Sequence, residues 1–159
     1  MKKNVLIPTD FSIGSLNLVK YAAQQYDGQE MEILLVYSSS LSDSITDLLF
    51  YSPEKIMNGL ITEDFKQACS ILRNRFTNIV NDLKVQNFHG RTLNAFQSFI
   101  HARRIEEAFI PKSYALRMHK NSFDPIPFIR KSGLPFTEVF WLEKTGQPEK
   151  DQLAELFLD

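Results

Sequence analysis

The residues best placed to do chemistry are Thr9 and Asp10, which follow directly on a short apolar run, Val5-Leu6-Ile7-Pro8. In open α/β sheets small molecules bind beyond the carboxyl ends of the strands, where the strand order reverses, so a carboxylate there is a ligand position. It is also where a side chain favours the N-terminus of the following helix by its negative charge. Both roles can hold together for Asp10. Thr9 fits turn chemistry as well as a ligand contact. A second group lies far along the chain. Between Pro111 and Lys131 five basic residues, Lys112, Arg117, Lys120, Arg130 and Lys131, stand against one acid, Asp124, with His119 among them. That cluster either builds an anion site from side-chain charge or is a solvated loop. Asn121-Ser122 reads as a cap for a helix beginning at Asp124, or as a phosphate contact.

The other reactive side chains point away from chemistry. His89, His101 and His119 show no metal-ligand spacing and have no cysteine partner, so they read as surface or structural residues. Cys69 is the only cysteine and falls on an apolar stripe. It reads as core, excludes an intramolecular disulfide and a multi-cysteine metal site, and fits a reducing cytoplasm. No serine sits in a nucleophile-elbow pattern, which removes the warrant for a hydrolase. The net charge of -1 gives no global field to recruit nucleic acid or an anionic membrane. No stretch approaches the roughly 20 apolar residues of a membrane helix, and the run before Pro8 is too short for a signal-peptide core. A cytoplasmic protein without nucleic-acid or membrane partners is expected.

The elements that must position these groups alternate. The first strand is Val5 to Ile7. A helix capped by Ser12 runs to about Gln25, burying Leu16, Val19, Ala22 and Ala23. Gly28 suits its left-handed end. The second strand, Met31 to Tyr37, is continuously apolar, as a strand covered on both faces must be. Residues 38–60 make a long connection holding a short helix or folding over a site. Apolar residues from Ile61 to Leu83 keep helical spacing and predict a long helix. A weak third strand follows, Val85 to Gly90, then a helix from Leu93 to Arg104. The fourth strand is Ile105 to Ile110, and Lys112 to Ser122 is a loop. A short helix from Asp124 to Lys131 has Pro125 at its first position. The fifth strand is Leu134 to Leu142, and an amphipathic extension occupies 143–159. Its 159 residues and alternation predict one doubly wound α/β domain over 1–142, with a parallel five-stranded sheet and helices on both faces.

The opening Val5-Leu6-Ile7-Pro8-Thr9-Asp10-Phe11-Ser12, with Ser15 and Tyr21-Ala22-Ala23, is similar to the universal stress protein family. So are Leu34-Leu35-Val36-Tyr37, Phe109-Ile110-Pro111 and Gly133-Leu134-Pro135-Phe136 with Val139. The resemblance covers roughly residues 3 to 142. It implies strand order 3-2-1-4-5, with the switch point between strands one and four. Many members bind ATP there, through an acidic residue after strand one and a phosphate cradle of the form G-x2-G-x9-G-[ST]. Carried over, Pro8, Thr9 and Asp10 match the first part and Tyr37 lies near the adenine end. Asn121-Ser122 stands for the final Gly-Ser pair. The first two glycine positions, however, hold Lys112 and Ala115, and no glycine occurs between Gly90 and Gly133. Phosphate nests need positive φ and close backbone approach, so the cradle is expected to be absent in its family form.

The resemblance also implies a symmetric dimer through strand five, with Phe136, Val139, Phe140 and Trp141 as its apolar edge. The alternative is that Leu153, Leu156 and Phe157 of the extension fold back over that edge. The resulting expectation is a homodimeric, non-catalytic stress-response or regulatory module whose ATP site is altered or lost; its regulatory protein partner is not indicated. A second reading keeps a nucleotide or other anion, with Thr9 and Asp10 at the nucleoside and Lys112, Arg117, Lys120 and Ser122 near the phosphates. A third, a weak nucleotide hydrolase of the adenine-nucleotide α-hydrolase-like group, has neither a Ser-Gly-Gly loop nor a His-x-Gly-His signature to support it.

Overall fold

Apolar runs at positions 5–7, 33–36 and 108–110 suit strands covered on both faces, and the chain buries all of them except Leu34, which is partly buried, as the middle of a parallel sheet. The structure, a computed structural model, describes residues 2–26, 28–39, 53–112, 114–119 and 122–141. Its strands are β1 (Lys3–Pro8), β2 (Met31–Ser38), β3 (Val80–Phe88), β4 (Glu107–Pro111) and β5 (Phe136–Val139). Every pairing is parallel and the order is 3-2-1-4-5, as the resemblance implies.

Helices cover both faces. A 3-10 turn (Gly14–Leu16) leads into α1 (Asn17–Gln25), which with α2 (Pro53–Leu60) and α3 (Glu63–Arg75) packs on Val5, Ile7, Ile33, Leu35 and Phe109. On the other face α4 (Leu93–Ala102) and α5 (Ile126–Lys131) cover Leu6, Val36, Phe88 and Ile110. α3 starts where the Thr62 hydroxyl accepts from the Phe65 amide at 3.0 Å. Glu63 and Asp64 lie in its first turn and Arg73 and Arg75 in its last, the charge order that suits the helix dipole. Thr92 caps α4 in the same way, accepting from Ala95. Gly28 takes the expected positive φ of 81°. Gly90 is required for a different reason: a Cβ there would lie 2.3 Å from the Phe88 ring.

Several expected boundaries move. The helix read from Ile61 to Leu83 ends at Arg75, and the third strand begins at Val80 rather than Val85. The cause is a bulge: Met31 pairs with Val80 but Glu32 pairs with Asp82, so Asn81 is extra. The insertion puts Val80 and Leu83, three apart, against the same core, which imitates helical periodicity. α1 begins later than Ser12, because the 3-10 turn intervenes with Ile13 at its N-cap; the Ser12 hydroxyl accepts from the Ser15 amide in that turn at 3.1 Å. The fourth and fifth strands are shorter than expected at their ends, since Arg104 turns the chain at φ 55° and Trp141 leaves the sheet to pack inward. The short helix expected within 38–60 is α2; residues 40–52 and the extension at 143–159 lie outside the described residues.

Cys69 packs against the core beneath α3, and burial, only partly offset by Arg73, pushes its thiol up to about 12. Its thiolate is therefore scarce near neutrality. At pH 8 a thiol-specific disulfide reagent is expected to label the native chain on the order of 10³-fold more slowly than the urea-unfolded chain. Equal rates in a stopped-flow comparison would contradict the buried placement.

Candidate functional site

The site is built from the turn after β1. Pro8 ends the strand, paired with Val36, and Thr9 follows with its amide donating to the Val36 carbonyl at 2.9 Å. The Thr9 hydroxyl accepts from the Phe11 amide at 3.1 Å and lies 3.4 Å from the Ser15 hydroxyl, which is turn chemistry. Phe11 holds φ at 64°, a left-handed conformation that a bulky residue adopts at a cost of about 1–2 kcal/mol. Its ring is 5% exposed, 4.9 Å from Tyr37 and edge-on to Phe65 at 5.6 Å, so tertiary packing holds the turn in place.

That turn buries Asp10 to 3% exposure. A carboxylate at this depth needs donors, and the chain itself supplies four. Asp10 Oδ1 accepts from the Ser12 amide at 3.0 Å and the Ser12 hydroxyl at 2.5 Å. Oδ2 accepts from the Tyr114 hydroxyl at 2.5 Å and the Arg117 amide at 2.8 Å. The Ser12 and Tyr114 hydroxyls are themselves 2.7 Å apart, so two hydroxyl protons serve three close oxygen contacts. Burial first, then the bond to Asp10 and its charge, push the Tyr114 hydroxyl well above the ordinary tyrosine range; Ser12 and Arg117 pull weakly the other way. Tyr114 is a neutral donor here.

Tyr114 arrives on the segment after β4, which crosses back over the carboxyl ends of β1 and β2. The Lys112 amide donates to the Val139 carbonyl at 2.8 Å, extending the β4–β5 ladder. The Tyr114 ring stacks on Trp141, centroids 5.4 Å apart and planes at 30°. Farther on, the His119 ring meets Tyr37 edge-on at 6.0 Å, Ser122 bridges to Ser39, and the Phe123 amide donates to the Ser38 carbonyl at 3.0 Å. The segment is a strap tied to three strands.

Of the site residues read from sequence, the structure brings Asp10 and Arg117 together, but through the Arg117 amide; the Arg117 and Lys112 side chains are exposed. Tyr37 is 2% exposed and its ring packs into the core. Ser122 closes a turn of the strap, its hydroxyl accepting from the His119 amide and donating to the His119 carbonyl. Pro125 stands at the N-cap of α5, and the Asp124 carboxylate before it accepts from the Ile126 amide at 2.9 Å. Lys120 and Asn121 lie outside the described residues. Sequence reasoning missed Tyr114 and the second role of Ser12. The readable signal was a phenol three residues beyond Pro111, opposite a lone carboxylate that would otherwise be buried without a partner.

The parallel sheet in the order 3-2-1-4-5, with its switch point between β1 and β4 and helices on both faces, defines a doubly wound α/β protein with the universal stress protein-like fold. Universal stress protein UspA from Lactobacillus plantarum superposes with a TM-score of 0.56 at 12% identity, covering 86% of this chain and 97% of that one. A universal stress protein family member from Burkholderia pseudomallei gives 0.54 at 10%, covering 86% and 95%. A universal stress protein solved in complex with cAMP gives 0.50 at 13%, covering 86% and 96%. No family model and no curated protein sequence matches the chain.

Tyr114→Phe removes one charge-assisted bond and leaves Asp10 under-solvated. It is expected to cost about 1.5–3 kcal/mol in urea unfolding at pH 7. Because folding raises the pKa of this hydroxyl, its contribution is fully present below the unfolded value of about 10 and is lost as pH rises through the folded value. The Tyr114→Phe chain should therefore lose less stability than wild type between pH 9 and pH 12. Parallel pH curves would refute the assignment.

Proposed function

We propose that the chain is a universal stress protein-like, non-catalytic stress-response or regulatory module of the cytoplasm, homodimeric, whose ATP site has been closed by its own side chains. One observation carries the reading: both oxygens of Asp10, the acidic residue the resemblance puts beside ribose and adenine, are already engaged by Ser12, Tyr114 and Arg117. A nucleotide would have to break two of those bonds to reach Oδ2. The absence of glycine from Lys112 to Ser122 supports the same conclusion, since that backbone lacks the residue that most readily turns amides toward a phosphate. Isothermal titration of ATP with Mg²⁺ into the full chain is expected to show no saturable binding. A micromolar Kd would overturn the reading.

The second reading, a site that still takes a nucleotide with help from Lys112 and Arg117, has one support. Those two side chains are exposed on the strap, free of any role in holding Asp10. It requires the strap to lift, and titration with cAMP and with ATP after Tyr114→Ala is its test; binding that appears only in that variant would favour it.

For the dimer, β5 is an edge strand among the described residues, and exposure sorts the apolar residues on it and just past its end. Phe136 is 38% and Phe140 60% exposed, whereas Val139 is 3% exposed and Trp141 packs inward. Phe136 and Phe140 are therefore the contacts to disrupt. Sedimentation velocity is expected to give twice the chain mass for wild type and the chain mass for the Phe136→Asp, Phe140→Glu double variant. A wild-type monomer would remove the dimer from the proposal.

A further inference from the structure

One side chain touches both the crevice and the edge of the sheet. The Tyr114 hydroxyl holds Asp10 at 2.5 Å while its ring stacks on Trp141, two residues past the end of β5. Two residues upstream, the Lys112 amide is bonded to the Val139 carbonyl, the last residue of that strand. A tyrosine has only two side-chain torsions and a rigid ring, so its hydroxyl cannot withdraw from Asp10 while the ring keeps its place on the indole. The Arg117 amide offers no second proton in its place, because its one N–H already donates to the same carboxylate oxygen.

We propose that Tyr114 couples the crevice to the β5 edge. Whatever takes Asp10 from Tyr114 unstacks Trp141 and loosens the end of β5. Whatever holds Trp141 still, such as a second copy of the chain lying along β5, keeps the crevice shut. Such a coupling is reciprocal: the free energy by which an open crevice weakens the edge is the free energy by which an occupied edge opposes opening. Its size is set by one buried charge-assisted bond and one aromatic stack, both absent from the open arrangement. The inference rests on the self-closed reading of the crevice but not on the dimer. It is tested on the ligand-free chain, so its failure is separable from any result of the nucleotide titration.

Trp141 is the only tryptophan, which makes its fluorescence a direct report on one end of the coupling. Tyr114→Phe keeps the ring and removes only the hydroxyl, with its bond to Asp10 and its contact with Ser12. In that variant the Trp141 emission is expected to shift to longer wavelength, and acrylamide quenching to rise about twofold or more. At the other end, Trp141→Ala should speed hydrogen exchange of the Arg117 amide at least about tenfold, with the Ile33 and Leu35 amides in the middle of the sheet unchanged. Trp141→Phe, which keeps an aromatic partner for Tyr114, should restore Arg117 protection. Either end unmoved overturns the coupling. So does acceleration at Ile33 and Leu35 in step with Arg117, which would be general loss of stability.

Discussion

A carboxylate removed from water must be re-solvated by the protein, and much of the upper edge of this molecule follows from how Asp10 is re-solvated. Its four donors come from two distant segments: Ser12 from the turn after β1, and Tyr114 and Arg117 from the strap after β4. One charge therefore specifies both the local turn and a long-range closure. The left-handed Phe11 belongs to the same solution, because it turns the chain so that the Ser12 amide and hydroxyl both face Oδ1. Its ring then fills the core beneath, between Tyr37 and Phe65. Strain at one residue and burial of one charge are held by the same packing.

The two faces of the sheet contribute differently to that closure. The face under α1 and α3 supports the turn from below, with Phe11, Tyr37 and Phe65 set among aliphatic residues. The face under α4 and α5 carries a cluster of phenylalanine rings: Phe88 meets Phe96 and Phe99 at 5.2 Å each and Phe123 at 6.1 Å. Phe123 is where the strap ends, so the far end of the segment is held by ring packing and by the Ser38 carbonyl. Asp10 holds its middle and Val139 its beginning. At the opposite end of β4, buried Glu107 accepts from Tyr26 at 2.8 Å and lies 3.4 Å from the Lys3 ammonium, a separate polar cluster that holds the strand's amino end to α1 and β1.

What the residues revealed in advance divides along physical lines. Strand identity, strand order and the two helical faces were legible, since continuous apolar runs and 3.6-residue stripes are local signals, and the resemblance added the order. The third strand was misjudged where a bulge at Asn81 gave Val80 and Leu83 a helical spacing. The crevice was half legible. Asp10 was visible as a carboxylate beyond a strand, and the missing glycines were visible as an absence. Tyr114 was not, because its partner lies more than a hundred residues away and nothing local distinguishes a phenol that fills a site from one on a loop. Attention to charge between Lys112 and Lys131 drew the reading toward Arg117 and Lys120, while the strap uses a hydroxyl and a main-chain amide.

The Tyr114 closure has a consequence for the backbone that carries it. A phosphate cradle asks for positive φ and bare amides, whereas a segment pinned by a phenol asks only for a side chain of the right reach. Among the described residues between Pro111 and Phe123 none takes a positive φ, and none needs to. A sheet edge of this topology can thus be sealed by ordinary L-residues, with the strand order unchanged.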